Sequence, residues 1–367
     1  MEMIDPSLYY QLAHAISHFN LPGTVFSIER FGSGHINDTY RITTSEKDMP
    51  GYILQRINER VFKNVHLLME NMENVTNHLS KKLKDIPGND PSRESPRLLL
   101  TVDQKPYFKD SSGNYWRVFL FVIDSVIFQK TLNSEQAFET GKAIGKFQYL
   151  LSDYHGVIHE TIPGFHDLEK RLMEFDRAIQ LASKKKMQKA GNEVSFVGRK
   201  KDQMREMITD LKLKNVALRI THNDTKLNNI LFDKQGRALC LIDLDTVMKG
   251  YIHYDFGDAI RILANNADED EPDIQRVSFN LDYFKAFSRG YLEQAKDFLS
   301  PAEKKWLAFS PFYMTFIIGL RFLTDYLNGD IYFKTNRVDH NLQRAHVQFR
   351  LISLMEGEYD SMREMFR

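Results

Sequence analysis

Apolar residues recur at helical spacing over two early stretches. One covers 7–19 and ends before Asn20-Leu21-Pro22-Gly23; the other covers 62–83, where Val65, Leu68, Met69, Met72, Val75 and Leu79 share a face. Between and beyond them the pattern turns strand-like at Val25–Arg30, 39–43, Tyr52–Ile57, 98–102 and 115–123, the last run preceded by the turn signal Asp110-Ser111-Ser112-Gly113-Asn114. This predicts several antiparallel strands with one long helix between the third and fourth. After Asp124-Ser125 helical periodicity takes over, at 134–153, 168–183, 201–214 and in several segments from Asp273 onward. The expected architecture is α+β and two-lobed: a small antiparallel sheet lobe over 1–124 and a larger, mainly helical lobe over 125–367.

One stretch interrupts the helical texture. Ile230-Leu231-Phe232 and Leu239-Cys240-Leu241-Ile242 read as short strands joined at Asp233-Lys234-Gln235-Gly236, a hairpin. Just before it stands Thr221-His222-Asn223-Asp224-Thr225-Lys226-Leu227-Asn228-Asn229, and Asp243 follows its second strand. Asp224 and Asn229 have the H-x-D-x-x-x-x-N spacing of a kinase catalytic loop. An aspartate can orient an attacking hydroxyl and accept its proton. An asparagine oxygen and a second carboxylate suit magnesium, which takes its remaining ligands from phosphates and water. Asp and Asn also populate ordinary turns. His222, the apolar run after Asn229 and the return of Asp243 distinguish this pair from a chance one. Asp224 is thus the candidate catalytic base, with Asn229 and Asp243 the candidate metal ligands.

A glycine turn, Phe31-Gly32-Ser33-Gly34-His35-Ile36-Asn37-Asp38, joins the first two strands. Glycines let backbone amides approach phosphate oxygens, and the edge position is where a kinase loop covers ATP. His35, Asn37 and Asp38 either contact a polyhydroxylated substrate or cap the turn. The third strand, Tyr52-Ile53-Leu54-Gln55-Arg56-Ile57, carries no lysine for the phosphates. Arg56 is the candidate cation, alternation leaving open whether it or Gln55 faces inward, with Glu70 or Glu73 as a partner. In Asp255-Phe256-Gly257-Asp258, Asp255 is not assigned to metal, and Asp258 with Arg261 suits a structural salt bridge.

Composition narrows the rest. With 367 residues, two to three domains are expected. Lys+Arg and Asp+Glu both number 49, which argues against a nucleic-acid or anionic-membrane binder. The single cysteine, Cys240, lies in an apolar strand and reads as a core thiol. The N-terminus lacks the basic and long apolar regions of a signal peptide. The tract 306–320 is broken by Ser310-Pro311 and reads as a buried helix. The expectation is a cytoplasmic monomer. The basic stretch 183–201 reads as a solvated loop and not a nucleic-acid patch, and the acidic run Asp268-Glu269-Asp270-Glu271 reads the same way.

With these pieces the chain resembles the aminoglycoside-phosphotransferase-like kinases, and within them the N-acetylhexosamine 1-kinases. The resemblance runs through residues 32–40, 223–229, 242–247 and the late segment 319–333. It implies a protein-kinase-like two-lobed fold, ATP and Mg2+ as cofactors, and phosphoryl transfer to the anomeric hydroxyl of N-acetylglucosamine or N-acetylgalactosamine. It also implies that Asp224 is the base, that Asn229 and Asp243 hold magnesium, and that Asp38, Arg321 and Tyr332 contact the sugar. His35 and Asn37 would join them, Gly32, Ser33 and Gly34 would cover the phosphates, and the hinge from Phe121 to Asp124 would hold the adenine. The missing third-strand lysine departs from the wider kinase pattern. The alternatives are a kinase of another small alcohol (aminoglycoside, choline or homoserine type) and a non-catalytic nucleotide-binding module.

Overall fold

The structure, a computed structural model, describes residues 5–32, 36–46 and 49–367. In the first lobe, β1 (Val25–Arg30), β2 (Asp38–Thr44), β3 (Tyr52–Ile57), β4 (Leu98–Leu99), β5 (Phe108–Lys109) and β6 (Tyr115–Leu120) form one antiparallel sheet. Its order is β1-β2-β3-β6-β4, with β5 also on β6. Alternation sorts its side chains. Tyr40, Ile42, Tyr52, Leu54, Trp116 and Val118 cover one face and bury Leu12, Ala15 and Ile16 of α1 (Pro6–Ile16). Thr39, Gln55 and Arg117, aligned across β2, β3 and β6, take the opposite face, toward the second lobe. The long helix α2 (Val65–Lys84) is capped by Asn64, whose Oδ1 accepts the Leu67 amide. The short α3 (Pro91–Glu94) leads into β4.

Helices α4 (Ser134–Leu150), α5 (Leu168–Leu181), α6 (Lys184–Lys189), α7 (Gly191–Leu213), α8 (Ile252–Leu263), α9 (Leu281–Ala295), α10 (Pro301–Leu307), α11 (Ser310–Asn328) and α12 (His340–Glu364) build the second lobe. Two small antiparallel pairs sit among them: β7 (Arg219–Thr221) with β10 (Met248–Gly250), and β8 (Ile230–Phe232) with β9 (Ala238–Leu241). Helix α11 is buried along nearly its whole length. The apolar face of α2 belongs to the same continuous core as α4, α8 and α11. Helices α4 and α9 approach through paired glycines. A Cβ on Gly141 would stand 2.0 Å from the Phe287 carbonyl, and one on Gly290 2.0 Å from that of Phe138. Among the described residues no single helix is long and apolar enough to cross a membrane. Helices α10 and α11 reach that length together but meet at 61°.

Three expectations need correction. The basic stretch 183–201 is helical, forming α6 and the start of α7. Val197 is buried, and Lys186, Lys189 and Lys200 pair with Asp330, Asp339 and Glu356. The acidic run is an anchor: Glu269 pairs with Arg261, and Asp270 with Arg337 and His340. The run 98–102 shortens to a two-residue strand, since Val102 turns to donate its amide to the His18 carbonyl near the end of α1.

Candidate active site

The loop after β7 is held from beneath by α8. Asp255, fully buried in the first turn of that helix, accepts the His222 amide (2.9 Å), the Asn223 amide (2.7 Å) and the Gln148 side chain (2.9 Å). Burial pushes its carboxyl upward, and these donors compensate in part. Its oxygens are committed to the loop backbone, which leaves none for a metal. Asn223 adopts φ +65°, a left-handed conformation that asparagine tolerates better than most residues. Its side chain ties the loop to the Thr221 and Thr246 carbonyls at 3.1 and 2.9 Å. His222 Nε2 lies 2.9 Å from the Ile242 carbonyl and Nδ1 3.3 Å from the Asp224 amide. That network fits a neutral ring that donates from Nε2 and accepts at Nδ1.

Asp224, Asn229 and Asp243 come together. Asn229 Nδ2 donates to the Asp224 carbonyl (2.9 Å) and to its carboxylate (3.0 Å). The Ile242 amide donates to the Asn229 carbonyl at 2.8 Å across the β8–β9 hairpin, which delivers Asp243 to the same place. Asp243 is itself left-handed, φ +62°. Its carboxyl is pushed up to about 6 by burial and by the charges of Asp245 and Asp224, with Lys226 opposing. A crowd of carboxylates at the cleft is relieved by a cation, so Asn229 and Asp243 fit a divalent ion. Among the described residues no three His, Cys, Asp or Glu side chains could cage one by themselves. An ion here would depend on phosphate and water oxygens, as magnesium commonly does.

Lys226, two residues after Asp224, was not singled out from the sequence. Its Nζ lies 2.9 Å from Asp224 Oδ2. Burial pulls its pKa down, but Asp224, Asp243 and Asp258 outweigh that and raise it. The same contact, with a hydrogen bond from Asn229, overcomes the desolvation of Asp224 and holds its carboxyl below the usual range. The loop that carries the candidate base thus holds a lysine of its own, which the third strand lacks. The D-x-K spacing was the available signal.

The sheet lobe departs from expectation at several positions. Arg56 lies opposite Trp116 on the α1 face, 6.0 Å from that ring, and its Nε donates to Asp38 at 2.9 Å. Pleat parity turns it away from the cleft. Gln55 is the inward residue, and Arg56 is not placed to meet a phosphate in the cleft. Asp38, paired with Arg56, shares that outer face. Asn37 donates to Asp245 (2.6 Å) and accepts the Asn58 amide (3.0 Å), so its amide group ties the turn down. Gly32 is exposed with φ +76°. Ser33, Gly34 and His35 lie outside the described residues. At the hinge, Phe121 stacks beneath Arg41, its centroid 4.3 Å away, while Asp124 points outward to Lys234. Among the described residues the Phe121 carbonyl and the Ile123 amide make no hydrogen bond, leaving backbone of the kind an adenine edge requires. Glu70 pairs with His159 at 3.2 Å, and Glu73 makes no ion pair among the described residues. Cys240 is buried with Val122 and Leu231 behind the hinge.

Arg321 and Tyr332 meet beside this centre. The Arg321 guanidinium lies 4.9, 5.7 and 5.5 Å from the rings of Phe165, Tyr332 and Phe333. It has neither a carboxylate nor a hydrogen-bond partner among the described residues. Burial lowers its pKa, and Tyr332, Glu174 and Asp224 are the groups that oppose this. The loop carrying Tyr332 is fixed by Asp325, which accepts the amides of Ile331, Tyr332 and Phe333 at 2.9–3.0 Å.

A small sheet lobe hinged to a helical lobe, with an Asp–Lys–Asn loop facing a hairpin aspartate, defines a protein-kinase-like phosphotransferase. The sequence model of the phosphotransferase enzyme family (APH) matches residues 27–297, and the chain belongs to that family. Solved structures share the fold at low identity. A microcompartment-associated aminopropanol kinase is similar at TM-score 0.67 and 14% identity over 99% of both chains. An aminoglycoside phosphotransferase from Alicyclobacillus acidocaldarius reaches 0.61 and 12% over 98% of both. Amicoumacin kinase, solved with AMP-PNP, Ca2+ and its ligand, gives 0.57 and 14% over 98% of this chain and 94% of that one.

Proposed function

We propose that this phosphotransferase moves the γ-phosphoryl group of ATP to the anomeric hydroxyl of an N-acetylhexosamine, N-acetylglucosamine or N-acetylgalactosamine, giving the sugar 1-phosphate. The observation that carries this reading is Arg321. An acceptor such as choline, an amino alcohol or an aminoglycoside is cationic and needs acidic side chains around it. Here the wall beside Asp224 holds a guanidinium with no anionic partner among the described residues. Other acids nearby are engaged among the described residues: Asp258 by Arg261 at 2.9 Å and Glu174 by Arg171 at 2.7 Å, while Asp243 belongs to the candidate metal site. A neutral acceptor rich in hydroxyls and carrying an amide carbonyl suits such a wall, with Tyr332 stacked beside it.

Asp224 orients the attacking hydroxyl and takes its proton as the phosphoryl group departs. A carboxylate held below its usual range is a weak base. It matches an anomeric hydroxyl, which is more acidic than an ordinary alcohol, and most of the rate gain falls to positioning and charge neutralisation. Asn229 and Asp243 would hold magnesium, which supplies charge neutralisation on the phosphates when bound. Lys226 stands where it can meet the transferred group while keeping Asp224 ionised. The test is incubation with ATP, Mg2+ and a panel of N-acetylhexosamines, choline, ethanolamine, homoserine and an aminoglycoside, read by phosphorus NMR. The expected product shows phosphorus coupled to an anomeric proton. Turnover confined to the cationic acceptors would overturn the sugar reading.

A further inference from the structure

We infer that Arg117 and Asp245 form the joint that registers the sheet lobe on the metal-binding segment, with Arg117 a positioning residue and not a phosphate ligand. The inference rests on the reading of Asp243 as a metal ligand.

Arg117 leaves β6 on the cleft face, where a nucleotide-binding cation would be sought. Its guanidinium is already engaged. NH1 and NH2 grip both oxygens of Asp245, the second at 2.9 Å, and Nε donates to Gln55 Oε1 at 2.9 Å. The sulfurs of Met69 and Met72 on α2 close over NH1 at 3.9 and 3.6 Å. The two charged side chains are only 1% and 4% exposed, so no edge of the guanidinium is open to a nucleotide.

Asp245 stands two residues beyond Asp243, in the single 3-10 turn Leu244–Thr246 that starts from the left-handed Asp243. Its carboxylate also accepts Asn37 at the end of the glycine turn (2.6 Å), and its carbonyl accepts the Thr161 hydroxyl (3.3 Å). Asn71 of α2 donates to the carbonyl of Val247 at 3.3 Å. Strand β3, strand β6, helix α2 and the glycine turn therefore all reach the metal segment, most of them through one carboxylate. In protein kinases a third-strand lysine pairs with a helix glutamate inside the small lobe. Here Gln55 occupies the inward place on β3 and Glu70 of α2 pairs with His159. The ion pair instead spans the two lobes. A bidentate guanidinium–carboxylate pair fixes orientation as well as distance, which an ammonium cannot reproduce.

The test uses the full chain and the variants Arg117→Lys, Asp245→Asn and their combination. AMP-PNP binding is measured by calorimetry with and without Mg2+, and steady-state kinetics follow on any acceptor turned over. In Arg117→Lys and Asp245→Asn, metal-free nucleotide binding is expected to stay near that of the parent. The apparent Mg2+ affinity of the nucleotide complex should weaken about tenfold or more, the range for groups that orient a metal ligand. Turnover should fall while the acceptor KM holds. The double variant should be no worse than the poorer single one, because both remove the same contact. A tenfold loss of metal-free nucleotide affinity in Arg117→Lys would make it a phosphate ligand and overturn the proposal. Parental Mg2+ affinity and turnover in all three would overturn it too. If Arg117→Lys does not fold, the near-isosteric Asp245→Asn decides by the same readouts. Failure of the sugar reading would appear only in the acceptor panel and would leave the Mg2+ difference intact.

Discussion

The Asp224 carboxylate shows how one side chain is tuned by what touches it. Burial alone would favour its neutral form, yet Lys226 at 2.9 Å and Asn229 at 3.0 Å keep it ionised and aimed. Asp224→Asn keeps the shape but cannot accept a proton. It should bind nucleotide as the parent does and lose about 10²–10⁴-fold in kcat, the usual range for a general base. Turnover within a few-fold of the parent would remove Asp224 from that role. Arg321→Ala should raise the acceptor KM well beyond the KM for ATP; equal loss for both ligands would assign Arg321 to folding. A third prediction concerns acid. His253 is fully buried, its Nε2 against the Glu303 carbonyl at 2.9 Å, and burial lowers its pKa to about 4. The unfolded chain takes up that proton near 6.5 and the folded chain only near 4. Stability present above 6.5 is therefore lost as pH falls toward 4. His253→Gln should flatten the decline of Tm across that window, measured by calorimetry in a buffer series.

At the scale of elements, two devices carry the site. The β8–β9 hairpin returns Asp243 beside Asn229, with Asp233 closing its turn by accepting the amides of Gln235 and Arg237. The second device is helix contact without side chains between. Gly141 of α4 and Gly290 of α9 let backbone meet backbone at a crossing that supports Gln148, and through it Asp255. Gly290→Ala forces these helices apart. It should cost about 1–3 kcal/mol, the usual penalty for overpacking, and lower Tm by several degrees. An unchanged Tm would mean that the crossing is looser than described.

Over the whole molecule, the lobe division drawn from the sequence is not a division of the core. The apolar face of α2 joins the same continuous core as α4, α8 and α11, while the face of the sheet turned from the cleft closes on α1. Arg117 and Asp245 add a buried pair across the same boundary. Such continuity predicts one cooperative unfolding transition by calorimetry; two resolved transitions would show lobes that fold apart.

The sequence by itself determined the order of elements, the antiparallel sheet followed by helices, and the catalytic loop with its hairpin. These are local patterns, written in residues a few positions apart. Period-2 alternation could not say whether Gln55 or Arg56 faces the cleft, because strand register and the site of α1 decide which face is inside. It could not pair Arg117 with Asp245, 128 residues away, or gather Phe165, Tyr332 and Phe333 around Arg321. The basic stretch at 183–201 misled because its lysines find acids far along the chain. Local chemistry fixed what each segment is; long-range packing decided which charges meet.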